Sequence, residues 1–157
     1  MREDTMYEPR YGAKHQGYLP AAEIARRVRA DIKQAVADGA LPSDLEYRVR
    51  SETYSGGQSV RVVAIGLSDE RQYTHVADHH ELPSRQYTAE ARVLRGTLER
   101  LVQAYNRDAS DPMTDYYDVM YHGFAEIEDE WGRRSREREA ARQKAMREAR
   151  KARQAVA

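Results

Sequence analysis

Leu45-Glu46-Tyr47-Arg48-Val49-Arg50-Ser51-Glu52-Thr53-Tyr54-Ser55-Gly56-Gly57-Gln58-Ser59-Val60-Arg61-Val62-Val63-Ala64-Ile65 reads as two strands and the turn that joins them. Leu45, Tyr47 and Val49 alternate with Glu46, Arg48 and Arg50, the period of a strand with one face on a core. The paired glycines Gly56 and Gly57 supply the positive φ of a tight reversal. The returning run carries Val60, Val62, Val63 and Ile65, enough apolar surface for both faces to be covered. A β-hairpin is predicted, and the rest of the chain must supply what packs on it.

Working outward on the N-terminal side, Ile24, Val28, Ile32 and Val36 or Ala35 recur every four residues, the apolar stripe of a helix. Pro20 suits its first turn and Glu23 the positive end of its dipole; Gly39 and Pro42 stop it. Residues 1–17, with Pro9, Gly12 and Gly17 among charges, read as a flexible arm. On the C-terminal side, residues 66–88 are polar and aperiodic and read as a long loop. Thr88 is a candidate N-cap for a second helix with a stripe of Ala91, Leu94, Leu98, Leu101, Val102 and Tyr105. Tyr117, Val119 and Tyr121 alternate with Asp118 and Met120 and predict a third strand, with a bulge at Gly123 and a continuation over Phe124–Ile127. From about Glu126 onward Ala, Arg, Glu, Gln, Lys and Met dominate, a helical composition. Its apolar positions beyond Trp131 are almost all alanine, which bury little area, so its distal half is expected to stand in solvent. The expectation is an α+β fold: a small antiparallel sheet of hairpin plus third strand, packed by two amphipathic helices, with a long charged C-terminal helix. The body is residues 18–127 and the basic helix 128–157.

Composition narrows the chemistry. The 157 residues fit one ordinary domain. There is no cysteine, which excludes disulfides, thiolate-bound metals and thiol catalysis. No run of about 18 apolar residues exists to span a bilayer, and the first residues lack the apolar segment of a signal peptide. The expected setting is the cytoplasm of a bacterial host, with no membrane partner. Net charge is zero, yet from Trp131 to Ala157 ten Lys/Arg face three Glu, a net of +7 balanced by −7 on the rest. Such asymmetry points to an acidic body and a basic tail. Eleven tyrosines against one Phe and one Trp suit half-buried strand faces or wet interfaces.

Two stretches carry a family resemblance. Tyr18-Leu19-Pro20-Ala21-Ala22-Glu23-Ile24-Ala25, with Tyr47-Arg48-Val49-Arg50-Ser51 and Tyr54-Ser55-Gly56-Gly57-Gln58-Ser59-Val60-Arg61-Val62, resembles the large polyvalent protein-associated domain family, type 29. Tyr105-Asn106-Arg107-Asp108-Ala109-Ser110-Asp111-Pro112-Met113-Thr114-Asp115-Tyr116-Tyr117-Asp118-Val119 is similar to a motif of the same mobile-element proteins. The resemblance covers about 18–127, with 66–88 unmatched. It implies a phage or conjugative-element setting and no particular chemistry.

Four groups of residues bear on function. Arg133, Arg134, Arg136, Arg138, Arg142, Lys144, Arg147, Arg150, Lys151 and Arg153 are candidates to line a nucleic-acid backbone, since three Glu cannot neutralise ten bases. Helical pairs Glu139–Arg142 and Glu148–Lys151 are the bland alternative. Tyr54, Ser55, Gly56 and Gly57, with Tyr105, Asn106, Asp108, Asp111, Asp115 and Tyr116, are candidates to dock a partner, against a plain reading as turns. Asp108, Asp111 and Asp115 could supply oxygen to a hard cation, though the spacing is not that of a calcium loop and turn-capping is the simpler role. His75, Asp78, His79, His80 and Glu81 sit in the long loop without a zinc motif. No cofactor and no metal-ligand set is expected. The leading expectation is a non-enzymatic accessory protein of a phage or mobile element that binds nucleic acid through its last helix. The alternatives are a protein-interaction module that inhibits or modulates a host defence complex and, last, a metal-dependent enzyme built on the aspartates.

Overall fold

The computed structural model describes residues 8–76, 84–111, 113–114 and 116–155. The chain divides into two units, 1–127 and 128–157.

In the first unit, helix α1 (Ala21–Ala37) forms where the stripe predicts it, with Ala21, Ile24, Ala25, Val28 and Ile32 buried. Gly39 stops it at φ +76°, and Ala40 N–H reaches back to Ala35 O (2.8 Å), the left-handed cap that glycine accepts without strain. Strands β2 (Glu46–Tyr54) and β3 (Gly57–Ile65) form the hairpin, in register from Glu46↔Ile65 to Tyr54↔Gly57. Gly56 takes φ +86° in its turn. Helix α3 (Ala89–Gln103) begins at Thr88, whose Oγ1 accepts Ala91 N–H at 3.1 Å. Between β3 and α3 lie one helical turn, α2 (Asp69–Gln72), and two short strands, β4 (Tyr73–Val76) and β5 (Ser84–Tyr87).

The core lies on one face of the β2–β3 sheet. Val49 of β2 and Val60, Val62 and Ala64 of β3 meet Ile24, Val28 and Ile32 of α1 and Leu94, Leu98 and Val102 of α3. Burying each such aliphatic side chain contributes roughly 1.5–3 kcal/mol before chain entropy is counted.

The α+β class holds; four details of the expectation do not. The third strand, β7 (His122–Ile127), pairs with β3 in parallel, from Ser59↔His122 to Ala64↔Ile127, so the sheet β2-β3-β7 is mixed. The α3 crossover returns the chain to the starting end of β3, and a strand laid down from there must run parallel. Secondly, Tyr117, Val119 and Tyr121 are not that strand. They belong to a folded-back loop, where Ala109 N–H bonds Asp118 O (2.8 Å) and Met120 N–H bonds Arg107 O (2.9 Å). Thirdly, residues 66–88 are not a plain loop. β4 and β5 are antiparallel, and Tyr73 stacks on Tyr87 with ring centroids 5.4 Å apart, a cross-strand pair that needs no apolar alternation. Fourthly, the arm is docked over its described part. β1 (Arg10–Tyr11) pairs with β6 (Arg107–Asp108), and Gly12 and Lys14 N–H donate to Asn106 O (2.8 Å) and Ala104 O (2.7 Å).

The outer edge of β7 is covered by side chains. Gln103 Nε2 donates to Gly123 O (3.2 Å), Arg95 Nε to Ala125 O (3.4 Å) and Gln72 Nε2 to Ile127 O (3.5 Å). Such cover blunts strand addition at that edge.

In the second unit, α4 (Glu130–Ala155) starts four residues later than composition suggests, and none of its residues is buried. Asp129 Oδ1 accepts Gly132 N–H at 2.7 Å, an N-cap bond that sets the start. No helix among the described residues is long and apolar enough to cross a membrane.

Candidate nucleic-acid interface

The cations of α4 fall into two sets. Near its start, Arg134 pairs with Glu130 one turn back, and Arg136 forks onto both oxygens of Glu128 (2.8 and 3.1 Å). Arg138 Nε donates to Arg134 O (3.3 Å). Beyond this, the expected pairs Glu139–Arg142 and Glu148–Lys151 do not form; Glu139 instead accepts from Gln143 Nε2 (3.2 Å). Arg133, Arg142, Lys144, Arg147, Arg150, Lys151 and Arg153 have no ion pair among the described residues. Six of them lie between Arg142 and Arg153, which at 1.5 Å per residue is a run of roughly 16 Å. Arg147, Arg150 and Arg153 share one shallow recess with Gln143, Met146 and Ala149. Duplex DNA carries a charge every ~1.7 Å of its axis, so a cationic run of this length faces several phosphates.

The first resembling motif is a device for building the hairpin. Tyr54 lays its ring over Gly57, where a Cβ would come within 2.9 Å of the ring. Gln58, 5% exposed, is a clamp: its Oε1 accepts Ala21 N–H at the start of α1 (2.7 Å). Its Nε2 donates to Leu19 O (2.9 Å) and Met120 O (3.2 Å). One amide thus joins α1, β3 and the loop before β7. Ser55 and Gly56 are exposed in the turn, and Tyr54 is partly exposed beside them.

The second motif also builds. Asn106 is buried and uses both ends of its amide: Nδ2 donates to Gln103 Oε1 (2.7 Å) and Tyr121 O (2.9 Å), while Oδ1 accepts Arg107 N–H (2.9 Å) and Tyr121 N–H (3.3 Å). Tyr105 is buried, and its hydroxyl donates to Asp31 (2.7 Å). Burial, with that carboxylate, pushes the phenol up to about 12. Neither side chain is available to a partner. Asp108 accepts Ser110 N–H (2.9 Å), and the Ser110 hydroxyl and backbone together hold its carboxyl below the usual range. Asp111 accepts Met113 N–H (2.9 Å) and the Thr114 hydroxyl (2.9 Å). These two aspartates close turns. Asp115 lies outside the described residues, as do Asp78, His79, His80 and Glu81; His75 is exposed on β4. Among the described residues no three His, Cys, Asp or Glu are grouped to hold a metal.

Of the docking candidates, Tyr54 and Tyr116 present surface, and Met113 and Tyr117, 90% and 83% exposed, stand out beside Tyr116. Sequence reading passed over the second face of the sheet, where Arg50, Arg61, His122 and Phe124 are exposed. The signal was there in Val60-Arg61-Val62 and in His122-Gly123-Phe124. It lay hidden because β7 was placed too early in the chain. No protein-family model, no curated protein and no solved structure matches this chain.

Proposed function

We propose that this chain is a non-enzymatic accessory protein of a phage or mobile genetic element, working in the bacterial cytoplasm, that binds nucleic acid through α4. The observation that carries the reading is the run of six cationic side chains from Arg142 to Arg153 with no ion pair among the described residues and no buried residue between them. A helix kept charged at no gain in packing is accounted for by a polyanion that supplies the missing counter-charge. The mobile-element setting rests on the resemblance of the Tyr18–Ala25, Tyr47–Ser51, Tyr54–Val62 and Tyr105–Val119 stretches alone. Fluorescence anisotropy of a labelled duplex across a salt series tests the binding. About four phosphate contacts give a log–log salt slope near −4. Replacing Arg142, Lys144, Arg147, Arg150, Lys151 and Arg153 together by Gln is expected to abolish both affinity and slope. Binding that survives those six changes unaltered rules α4 out.

A second reading has its own observation. Met113, Tyr116 and Tyr117 expose large apolar surface on one loop, which suits a protein-interaction module directed at a host defence complex. Met113→Ser with Tyr117→Ser would abolish such a complex and leave oligonucleotide binding intact. The metal-dependent reading is the least supported, since Asp108 and Asp111 already spend their oxygens on turns.

A further inference from the structure

The two helices of the body, α1 and α3, pack on one face of the β2-β3-β7 sheet, and the other is open in the sense that Arg50, Glu52, Arg61, His122, Phe124 and Glu126 are exposed on it. Because β7 is parallel and in register with β3, the open face can be read row by row. One row runs Arg50, Arg61, Phe124 across the three strands. The next carries Glu52, Ser59 and His122, and the row after it Tyr54 and Gly57. On the other side lie Arg48, Val63 and Glu126. Three rings and three arginines therefore share one face, with Glu46, Glu52 and Glu126 towards its rim.

Their contacts are specific. The Arg61 guanidinium lies 4.9 Å from the Phe124 ring centroid and pairs with Glu126 at 2.7 Å. The His122 and Phe124 rings are stacked with nearly parallel planes, 22° apart in tilt and 6.5 Å between centroids. Phe124 is 40% exposed and Tyr54 43%. Arg50 stands directly opposite Arg61 and has no ion pair among the described residues. Like charges facing each other across two strands destabilise a sheet; Glu126 answers Arg61, which leaves Arg50 as the cation with a charge still to be met.

We propose that this open face binds single-stranded nucleic acid, with bases stacked on Phe124 and His122 and a phosphate between Arg50 and Arg61. The inference rests on the nucleic-acid reading of α4 and adds to it a second surface that takes unpaired strands. Exposed rings accept the π-face of any base, so such a platform is tolerant of sequence. A duplex keeps its bases stacked inside and cannot use the rings. A protein partner is disfavoured, because acids and bases together (Arg48, Arg50, Glu52, Arg61 and Glu126) spread over the face, whereas the core of a protein interface is depleted in charge. Glu52 and Glu126 work against a phosphate, but Glu126 is engaged by Arg61 and Glu52 lies a row away.

The test uses the full chain with a labelled oligothymidylate and a labelled duplex of equal length. Phe124→Leu combined with His122→Leu keeps bulk and removes the aromatic faces; single-strand affinity is expected to fall about tenfold or more, with duplex affinity unchanged. Arg50→Gln, an exposed change with no bond to lose, is expected to reduce the single-strand salt slope by about 1. This second variant answers the question if the double variant melts early. Single-strand binding unchanged in both variants, with duplex binding present, overturns the sheet inference and leaves α4 standing; that is also the result if the face seats a protein. Binding of neither probe by the unaltered chain overturns both readings.

Discussion

Gln58 shows how much can hang on one side chain. Its amide is nearly buried and completes three bonds to two separate backbone segments, the start of α1 and the loop before β7. Gln58→Leu keeps the volume and leaves an N–H and two carbonyls without partners; each such buried group costs about 1–3 kcal/mol, so a loss of about 3 kcal/mol is expected in chemical denaturation. A change below about 0.5 kcal/mol would mean that water replaces all three bonds. Asn106 plays the same part at the other end of the loop, and Gln72 is its counterexample. Gln72 is fully buried, yet its Oε1 is the one buried side-chain acceptor without a partner among the described residues. Nothing in the local sequence distinguishes these three amides from exposed ones. A glutamine between Gly57 and Ser59 reads as turn chemistry, and only the arrival of Leu19 and Met120 from distant parts of the chain turns it into a clamp.

Elements differ in how far their own residues determine them. α1, the hairpin and α3 have a periodic apolar face, a stop signal or a cap, and each forms where those signals lie. β7 lacks such a signal, because its core-facing residues are Gly123, Ala125 and Ile127. The first two are small, and at Gly123 the space is taken: a Cβ there would come within 2.8 Å of Gln103 Nε2. The stronger alternation of Tyr117, Val119 and Tyr121 is a decoy made by a loop folded on itself. The arm is another element decided by close approach. A Cβ on Gly12 would fall 2.2 Å from Gln103 O and 2.4 Å from Ala104 O, both of them backbone atoms. Gly12→Ala is therefore expected to lift the arm. Hydrogen exchange at the Gly12 and Lys14 amides would accelerate at least tenfold, while amides in the β2–β3 ladder stay protected. Equal protection with alanine in place would show that the backbone yields instead.

At the scale of the molecule, the tyrosines tie stability to alkaline pH. Burial, with the Asp31 carboxylate, raises Tyr105 to about 12. Burial, with the Asp44 carboxylate, raises Tyr47 to about 12, and burial raises Tyr121 as well. An unfolded tyrosine ionises near 10. The folded chain holds these protons longer, so their contribution is whole below about pH 10 and is lost as pH rises towards 12. Denaturation midpoints should hold up to about pH 10 and fall as pH rises from there towards 12, and Tyr105→Phe should make the fall shallower; a flat profile would show these phenols to be solvated. What the sequence determined by itself is what short-range physics can decide: the α+β class, the hairpin and its turn, the boundaries of two amphipathic helices, and a basic helix with too few acids to neutralise it. Tertiary structure alone decided the parallel direction of β7, the docking of the arm, the pairing of β4 with β5, and the joining of Arg50, Arg61, His122 and Phe124 on one face. Those four depend on contacts between residues far apart in the chain, where crossover geometry and the space between backbones select the partner, and a period read along the chain carries neither.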